Sequence, residues 1–301
     1  MSQLTTILAA VRYIEAHLRA PVTVADVADA VGYSLFHFSR TFNRIVQHTP
    51  YDYLMRRRVS ASAEEVLSSA RLIIDIAYDY QFANPETFTR AFRRMFGMTP
   101  SEARSSERLP YRRPMPPLTM ADLAYRVDAS AERPDLISEP VRALVALQTL
   151  ADSENSPLVD DLWRALVAGM AAEALVPDHY YAVVWRRIHA SEPYHLVAVG
   201  ATTVAQDADE SRVRGPLLSL RLPARQSARC PHRGSAAELP QSEGYLVHTW
   251  LPKVKLWQAD TAVVLDYGDQ PGEKRRAPVA LTVGVSNQPQ RTRAGMSDLG
   301  G

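Results

Sequence analysis

A single cysteine in 301 residues, Cys230, is too little for an intramolecular disulfide or a zinc site built on paired thiolates, and it accords with a reducing compartment. Long hydrophobic runs are missing too, since nothing approaches the roughly 18 uninterrupted apolar residues of a spanning helix. Glu15 and His17 interrupt the N-terminal segment where a secretory apolar core would continue. A soluble, cytoplasmic chain without membrane contact is therefore expected. A glycine-rich phosphate cradle is also lacking, and no cofactor is expected. Lysine is absent from residues 1–113, where 15 Arg face 11 acidic residues, so that this segment carries +4 and the rest of the chain −3 around a net charge of +1. A basic first part suits a polyanion.

What is present points to two domains, the natural prior for this length with a hydrophobic content of 46%. Apolar residues recur at helical spacing from Leu4 to Leu18, and Pro21 ends that stripe. Thr23 with Asp26 three residues on reads as a helix cap, Gly32 as a helix stop and Ser34 as the next cap, giving helix, tight turn, helix. A longer helix over 51–69 follows, carrying Arg56, Arg57 and Arg58. The pattern then repeats, with Leu72, Ile73, Ile76, Ala77 and Tyr80 on one helix and Asn84-Pro85-Glu86 opening another. Four prolines between Ser105 and Leu118 mark a linker. Beyond it, alternating stretches predict strands over 136–150, 180–189, 194–204, 218–222, 261–268 and 281–286, with helices near 157–175 and 239–251. The order of these elements suggests an internal duplication. The expected boundaries are a reader domain over 1–108, a linker over 109–135, an α+β domain over 136–288 and a disordered tail over 289–301.

On the helix opening at Leu35, the residues Leu35, Phe38, Phe42 and Ile45 form a core face. Phe36, Ser39, Arg40 and Asn43 lie on another face, from which Arg40 can grip a guanine edge and Phe36 can meet a thymine methyl. In the second unit the core set is Phe88, Ala91, Phe92 and Met95, leaving Glu86, Thr87, Arg90, Arg93 and Arg94 outward, with Arg90 as the base reader. Arg56 and Arg57 are secondary candidates for phosphate contacts.

These two stretches, GYSLFHFSRTFNRIVQHTPYDYLMRRRVSASA and IIDIAYDYQFANPETFTRAFRRMFGMTPSEAR, resemble the halves of the AraC/XylS-type DNA-binding domain over roughly residues 5–108. The resemblance implies a bacterial transcription regulator that binds double-stranded DNA as a monomer, with one helix in each of two major-groove segments of an asymmetric site. It places Phe36, Ser39 and Arg40 of the first helix, and Pro85, Glu86, Thr87 and Arg90 of the second, against bases. RNA polymerase is a further candidate partner, through a docking role of the C-terminal domain. Gln81 departs from the pattern, standing where most members carry Gly, and Pro85-Glu86 replaces polar donors.

Residues 136–288 resemble the gyrase-inhibitor-like (GyrI-like) effector domain, through LWRAL at 162–166, YYAVVW at 180–185, HLVAVGATTV at 195–204, LPARQSARCPHRG at 222–234, Trp250-Leu251-Pro252, LDY at 265–267 and LTVGVS at 281–286. The implied fold is α+β, two βαβ-type halves on an antiparallel sheet, and the implied role is multidrug-type sensing of a small hydrophobic or aromatic molecule. Tyr181, Val183, Trp185, Trp250, Leu265 and Tyr267 are the candidate lining. Relatives carry a pocket Glu where this chain has Leu265, and alternation turns the neighbouring Asp266 to the opposite face. A protein-docking role and a small-molecule hydrolase are the competing readings. Cys230 and His232 lack an orienting third group and enough ligands for a metal, so neither catalytic residues nor a metal site are expected.

Overall fold

The computed structural model describes residues 2–107, 109, 113–128, 133–152, 157–185, 195–204, 216–272 and 277–289. The chain divides into two compact units, Met1–Leu118 with Ser286–Gly301, and Thr119–Val285. Most of the expected tail, from residue 290 on, lies outside the described residues. No helix among the described residues is long and apolar enough to cross a membrane.

The first unit is all helical: α1 Gln3–Ala16, α2 Val24–Ala30, α3 Leu35–Val46, α4 Pro50–Ser68, α5 Ile73–Asp79, α6 Pro85–Phe96 and α7 Pro100–Ser106. Phe38, Phe42, Phe88, Phe92 and Phe96 are fully buried, each ring contributing about 1.5–3 kcal/mol through the apolar surface it removes from water. The long helix α4 runs between the two helix pairs. Toward the first pair, Tyr53 stacks edge-on against Phe42 at 5.7 Å and donates to Glu15 Oε1 at 3.2 Å. Toward the second, the Tyr80 hydroxyl donates to the Ala61 carbonyl at 3.1 Å and Arg104 Nε to that of Val66 at 2.9 Å. Arg58 is buried and donates to the carbonyls of Leu18 and Ala20 at 3.0 and 2.8 Å, capping the chain as it leaves α1.

The stretch expected to be a linker, residues 109–135, holds buried side chains and a helix where it is described. Leu109, Met115 and Leu118 are buried, and α8 spans Met120–Asp128. The Thr119–Asp122 capping pair, with Thr119 N donating to Asp122 Oδ2 at 2.7 Å, starts that helix. The prolines just before it obscured this start in the sequence.

The second unit is an eight-stranded sheet with helices: β1 Asp135–Glu139, β2 Arg142–Ala151, α9 Pro157–Ala172, β3 Pro177–Trp185, β4 His195–Thr203, β5 Leu218–Leu222, β6 Arg225–Pro231, α10 Leu239–Tyr245, a π-helical turn over Leu246–Trp250, α11 Leu251–Lys253, β7 Trp257–Gly268 and β8 Ala280–Ser286. The single strand expected over 136–150 is two strands, because Pro140 breaks it. The strand order is β1-β6-β8-β7-β3-β4-β2-β5. Exchanging β1–β4 with β5–β8 reproduces this order read from the other edge, so the halves are a structural duplication about an axis between β3 and β7. Each half also lends its first strand to the other, β1 to β6 and β5 to β2.

One sheet face is covered by helices. Val184, Val199, Leu265 and Val283 point there and meet Trp163 and Leu166 of α9 and Leu246 of the π-helical turn. The opposite face carries a second apolar cluster of Leu144, Ala146, Tyr181, Val183, Ala262 and Val264, to which no described helix contributes.

Candidate nucleic-acid interface and effector surface

The reading helices are positioned by turns built from local chemistry. Thr23 and Asp26 form a reciprocal cap on α2, Thr23 N donating to Asp26 Oδ2 at 2.8 Å and Asp26 N to Thr23 Oγ1 at 3.2 Å. Gly32 then takes φ +70°, its N–H bonding Asp29 O at 3.0 Å while Tyr33 N reaches Ala28 O at 3.0 Å. Ser34 caps α3. The second helix pair repeats this turn, with Gln81 N bonding Tyr78 O at 2.9 Å and Phe82 N bonding Ala77 O at 3.0 Å. Gln81 adopts φ +62°, the conformation a glycine would take without strain, and its Nε2 donates to Arg19 O at 2.9 Å. The turn before α6 is one residue longer, and Asn84 Oδ1 closes it by accepting from both Thr87 N and Thr87 Oγ1 at 2.8 Å.

On α3, Phe38, Phe42 and Ile45 are buried, while Phe36 is 78% exposed and Arg40 and Asn43 are exposed, with Ser39 half-buried beside them. Leu35 departs from the expectation. It is 51% exposed and belongs to the outer face, because as the first residue of α3 it precedes the turn that seats Phe38. On α6, Phe88, Phe92 and Met95 are buried, Glu86, Arg90, Arg93 and Arg94 are exposed, and Pro85 and Thr87 are half-buried at the N-terminus.

The two helices superpose in role. Arg40 and Arg90 each lie two residues after a buried Phe and two before another, and among the described residues neither takes an ion-pair partner. The arginine four residues further along each helix is tied back, Arg44 to Gln3 and Arg94 to Asp52 at 3.0 Å. Thr89 stands where Ser39 stands on the first helix and is half-buried like it. Single-helix reasoning missed Thr89, and aligning the repeats finds it.

Arg56 and Arg57 are not free phosphate contacts. Arg57 is buried, its Nε and Nη2 donating to the two Glu15 carboxylate oxygens at 2.8 Å each and its Nη1 to the Met115 carbonyl. Arg56 Nε donates to Asp52 Oδ2 at 2.6 Å. Burial works to raise the Asp52 carboxyl, yet the hydrogen bond with His48 and the pairing with Arg56 hold it well below the usual carboxylate range.

In the second unit the six candidate lining residues do not converge. Tyr181, Val183 and Trp185 belong to the helix-free face, whereas Leu265, Tyr267 and Trp250 lie in or against the helix-covered core, with Tyr267 edge-on to Trp163 at 5.2 Å. The division follows strand alternation through a bulge, Tyr181 lying opposite Asp266 but Tyr180 opposite Gly268. Asp266 thus shares the face of Tyr181, where His179 Nε2 stands at 2.7 Å and Arg229 Nη2 at 3.8 Å. It is a carboxylate hydrogen-bonded to His179 with an arginine close by, and not a lone one.

Cys230 is buried, and burial pushes its thiol up to about 11, far from a reactive thiolate. His232 Nε2 faces the Ser235 carbonyl at 3.0 Å and its Nδ1 the Ser242 hydroxyl at 2.8 Å. Burial lowers the His232 pKa, and with Ser242 fully buried the pair ties the segment after β6 to α10.

A family model described as a helix-turn-helix domain matches residues 27–106. The Right origin-binding protein of Escherichia coli K12 is 40% identical over 94 residues, which are 31% of this chain and 32% of that protein, so the match spans about a third of that relative's length. Regulatory protein SoxS of the same organism is 36% identical over 94 residues, 31% of this chain but 88% of SoxS. Among solved structures, a hydrolase encoded by lin2189 from Listeria innocua covers 54% of this chain and 98% of its own at 10% identity and a TM-score of 0.40, a likeness too slight to bear on function.

Proposed function

Because the chain belongs to the AraC family of helix-turn-helix DNA-binding regulators, we propose that its first unit reads an asymmetric duplex site as a monomer, with α3 and α6 in two major-groove segments. The observation that carries this reading is the pair Arg40 and Arg90, exposed and without an ion-pair partner among the described residues, at matching positions on two helices joined by α4. An arginine with its five donors free matches the two acceptors of a guanine edge. Phe36 and Glu86 differ at matching positions, so the two groove segments present different sequences to the protein and the site lacks two-fold symmetry. Selection of binders from a random duplex library, followed by footprinting, tests this. Two unlike half-sites about one helical turn apart, bound one chain per duplex, are expected. A palindromic site occupied by two chains overturns it.

The second unit is proposed to modulate transcription by binding a small, largely apolar effector on the helix-free sheet face, beside Tyr181, Val183 and Trp185. The support is a buried aromatic and aliphatic cluster that no described helix completes. The core positions Leu265, Tyr267 and Trp250 have no part in this reading. Asp266, already matched by His179 and Arg229, leaves no lone carboxylate to select a cation.

A further inference from the structure

The duplication makes the two halves of the helix-free face comparable residue by residue, and they differ in chemistry. Ala146 lies opposite Gly200 and Leu218, and Ser227 opposite Gly284 and Ile137, so Ala146 corresponds to Ser227 and Gly200 to Gly284. By the same registers Leu144 corresponds to Arg225 and Leu220 to Glu139. The first half presents aliphatic side chains where the second presents an arginine, a hydroxyl and a carboxylate.

That polar half is nearly, but not wholly, satisfied. Arg225 donates through Nε to Glu139 Oε2 at 3.2 Å and through Nη1 to Asp260 Oδ2 at 2.9 Å. Its guanidinium lies across Gly284, where a Cβ would come within 3.2 Å of Nη1 and 3.1 Å of Asp260 Oδ2. Burial works to raise the Glu139 carboxyl, but Ser227, Arg142 and Arg225 hold it below its ordinary range. Two buried polar atoms remain without a partner among the described residues, Arg225 Nη2 and Thr282 Oγ1. Thr282 is 5% exposed and pairs with Arg229, which puts it on the face of Gly284, two residues away along β8 and roughly 7 Å distant. Both groups can donate, and both border the apolar cluster that runs from β5 to β7. A buried donor left empty costs folding free energy, so two of them at the edge of an apolar surface mark a place where an acceptor arrives from outside.

The charge balance narrows the guest. Arg225 and Arg142 are matched by Glu139 and Asp260, so neither an anion nor a cation finds an unmatched charge there. Resting on the effector reading above, we infer that the ligand is an uncharged molecule with an aromatic or aliphatic body and a head of hydrogen-bond-accepting oxygen, of ketone, ester or quinone type. Its body lies over Val183, Val264 and Leu144, and its oxygens take the free donors of Arg225 and Thr282.

Equilibrium dialysis of the full chain against four matched probes tests this: 2-acetylnaphthalene, 2-ethylnaphthalene, 2-naphthoate and 2-naphthylmethylammonium. The acetyl probe is expected to bind about tenfold more tightly than each of the others, the gain of accepting a hydrogen bond from an otherwise unpaired buried donor. Arg225→Lys and Thr282→Val are each expected to shrink the preference for the acetyl over the ethyl probe, measured as the ratio of the two affinities in each variant. Thr282→Val should also raise the thermal midpoint, since it removes an empty hydroxyl, whereas a hydroxyl with a purely structural role would lower it. Equal binding of acetyl and ethyl probes, or preference for either charged probe, overturns the head-group inference and leaves the effector site standing. If no probe binds, the effector reading itself fails.

Discussion

At the residue scale, reading and bracing are divided among arginines that look alike in the sequence. Arg40 and Arg90 are free to contact bases, and replacing either with Ala should cost about 1–3 kcal/mol on the selected site and relax preference at a separate base pair. Competition binding with singly mutated duplexes checks this, and equal losses on specific and random DNA would show that they touch only phosphate. Arg94 is different, because Asp52 holds it beside Arg56. Asp52→Asn should free Arg94 for a phosphate, raising affinity for random DNA and steepening the salt dependence by about one unit in log–log slope. The same substitution has a signature in acid. The carboxyl of Asp52 is depressed in the folded state, so its stabilisation is complete above the ordinary Asp value of about 4 and is lost as pH falls through the folded value. Denaturant titrations from neutral pH downward should therefore show a shallower loss of stability in the Asn variant. Sequence periodicity separated outer from inner faces but could not assign these pairings. Arg57 illustrates the limit, since its partners Glu15 and Met115 are 42 and 58 residues away.

At the element scale, the two turns solve one geometric problem with different residues. Gly32 and Gln81 both sit in the left-handed region, and a Cβ on Gly32 would meet nothing within 4 Å. Gly32→Ala should therefore cost about 1 kcal/mol from backbone strain alone, with the recognition face unchanged. Thermal melts read alongside DNA affinity at a temperature where the variant is folded would separate the two effects, and a loss of affinity beyond the loss of stability would contradict a purely conformational cost. Caps and stops of this kind are written locally, which is why the boundaries of α2, α3 and α6 were legible. Helix α8 and strand β6 were not. The start of α8 is a capping pair hidden behind prolines, and β6 lacks apolar alternation because Arg225, Ser227 and Arg229 face Glu139, Gly284 and Thr282 across the strands. Local patterning also could not show that Tyr181 and Tyr267 end on opposite faces, since the bulge beside them is a property of strand pairing.

At the scale of the whole molecule, each unit has its own core, and damage to one core should register in that unit first. In the first unit, Arg57→Ala strands Glu15 as a half-buried charge and should cost about 3 kcal/mol or more, lowering one calorimetric transition by on the order of 10 °C. In the second, Leu265→Glu installs the residue type that the resemblance to GyrI-like domains implies at this position, but it does so within the core beside Trp163, where Leu265 is 2% exposed. A carboxylate placed there has no described partner, and burying it unpaired is costly enough to shift its pKa or unfold the sheet. The expected result is a lower second transition, further depressed as pH rises and the carboxyl ionises, with no gain in affinity for the naphthylmethylammonium probe. A variant that instead kept its melting temperature and captured the cation would place the effector pocket on the helix-covered face, and would move the binding surface away from Tyr181, Val183 and Arg225.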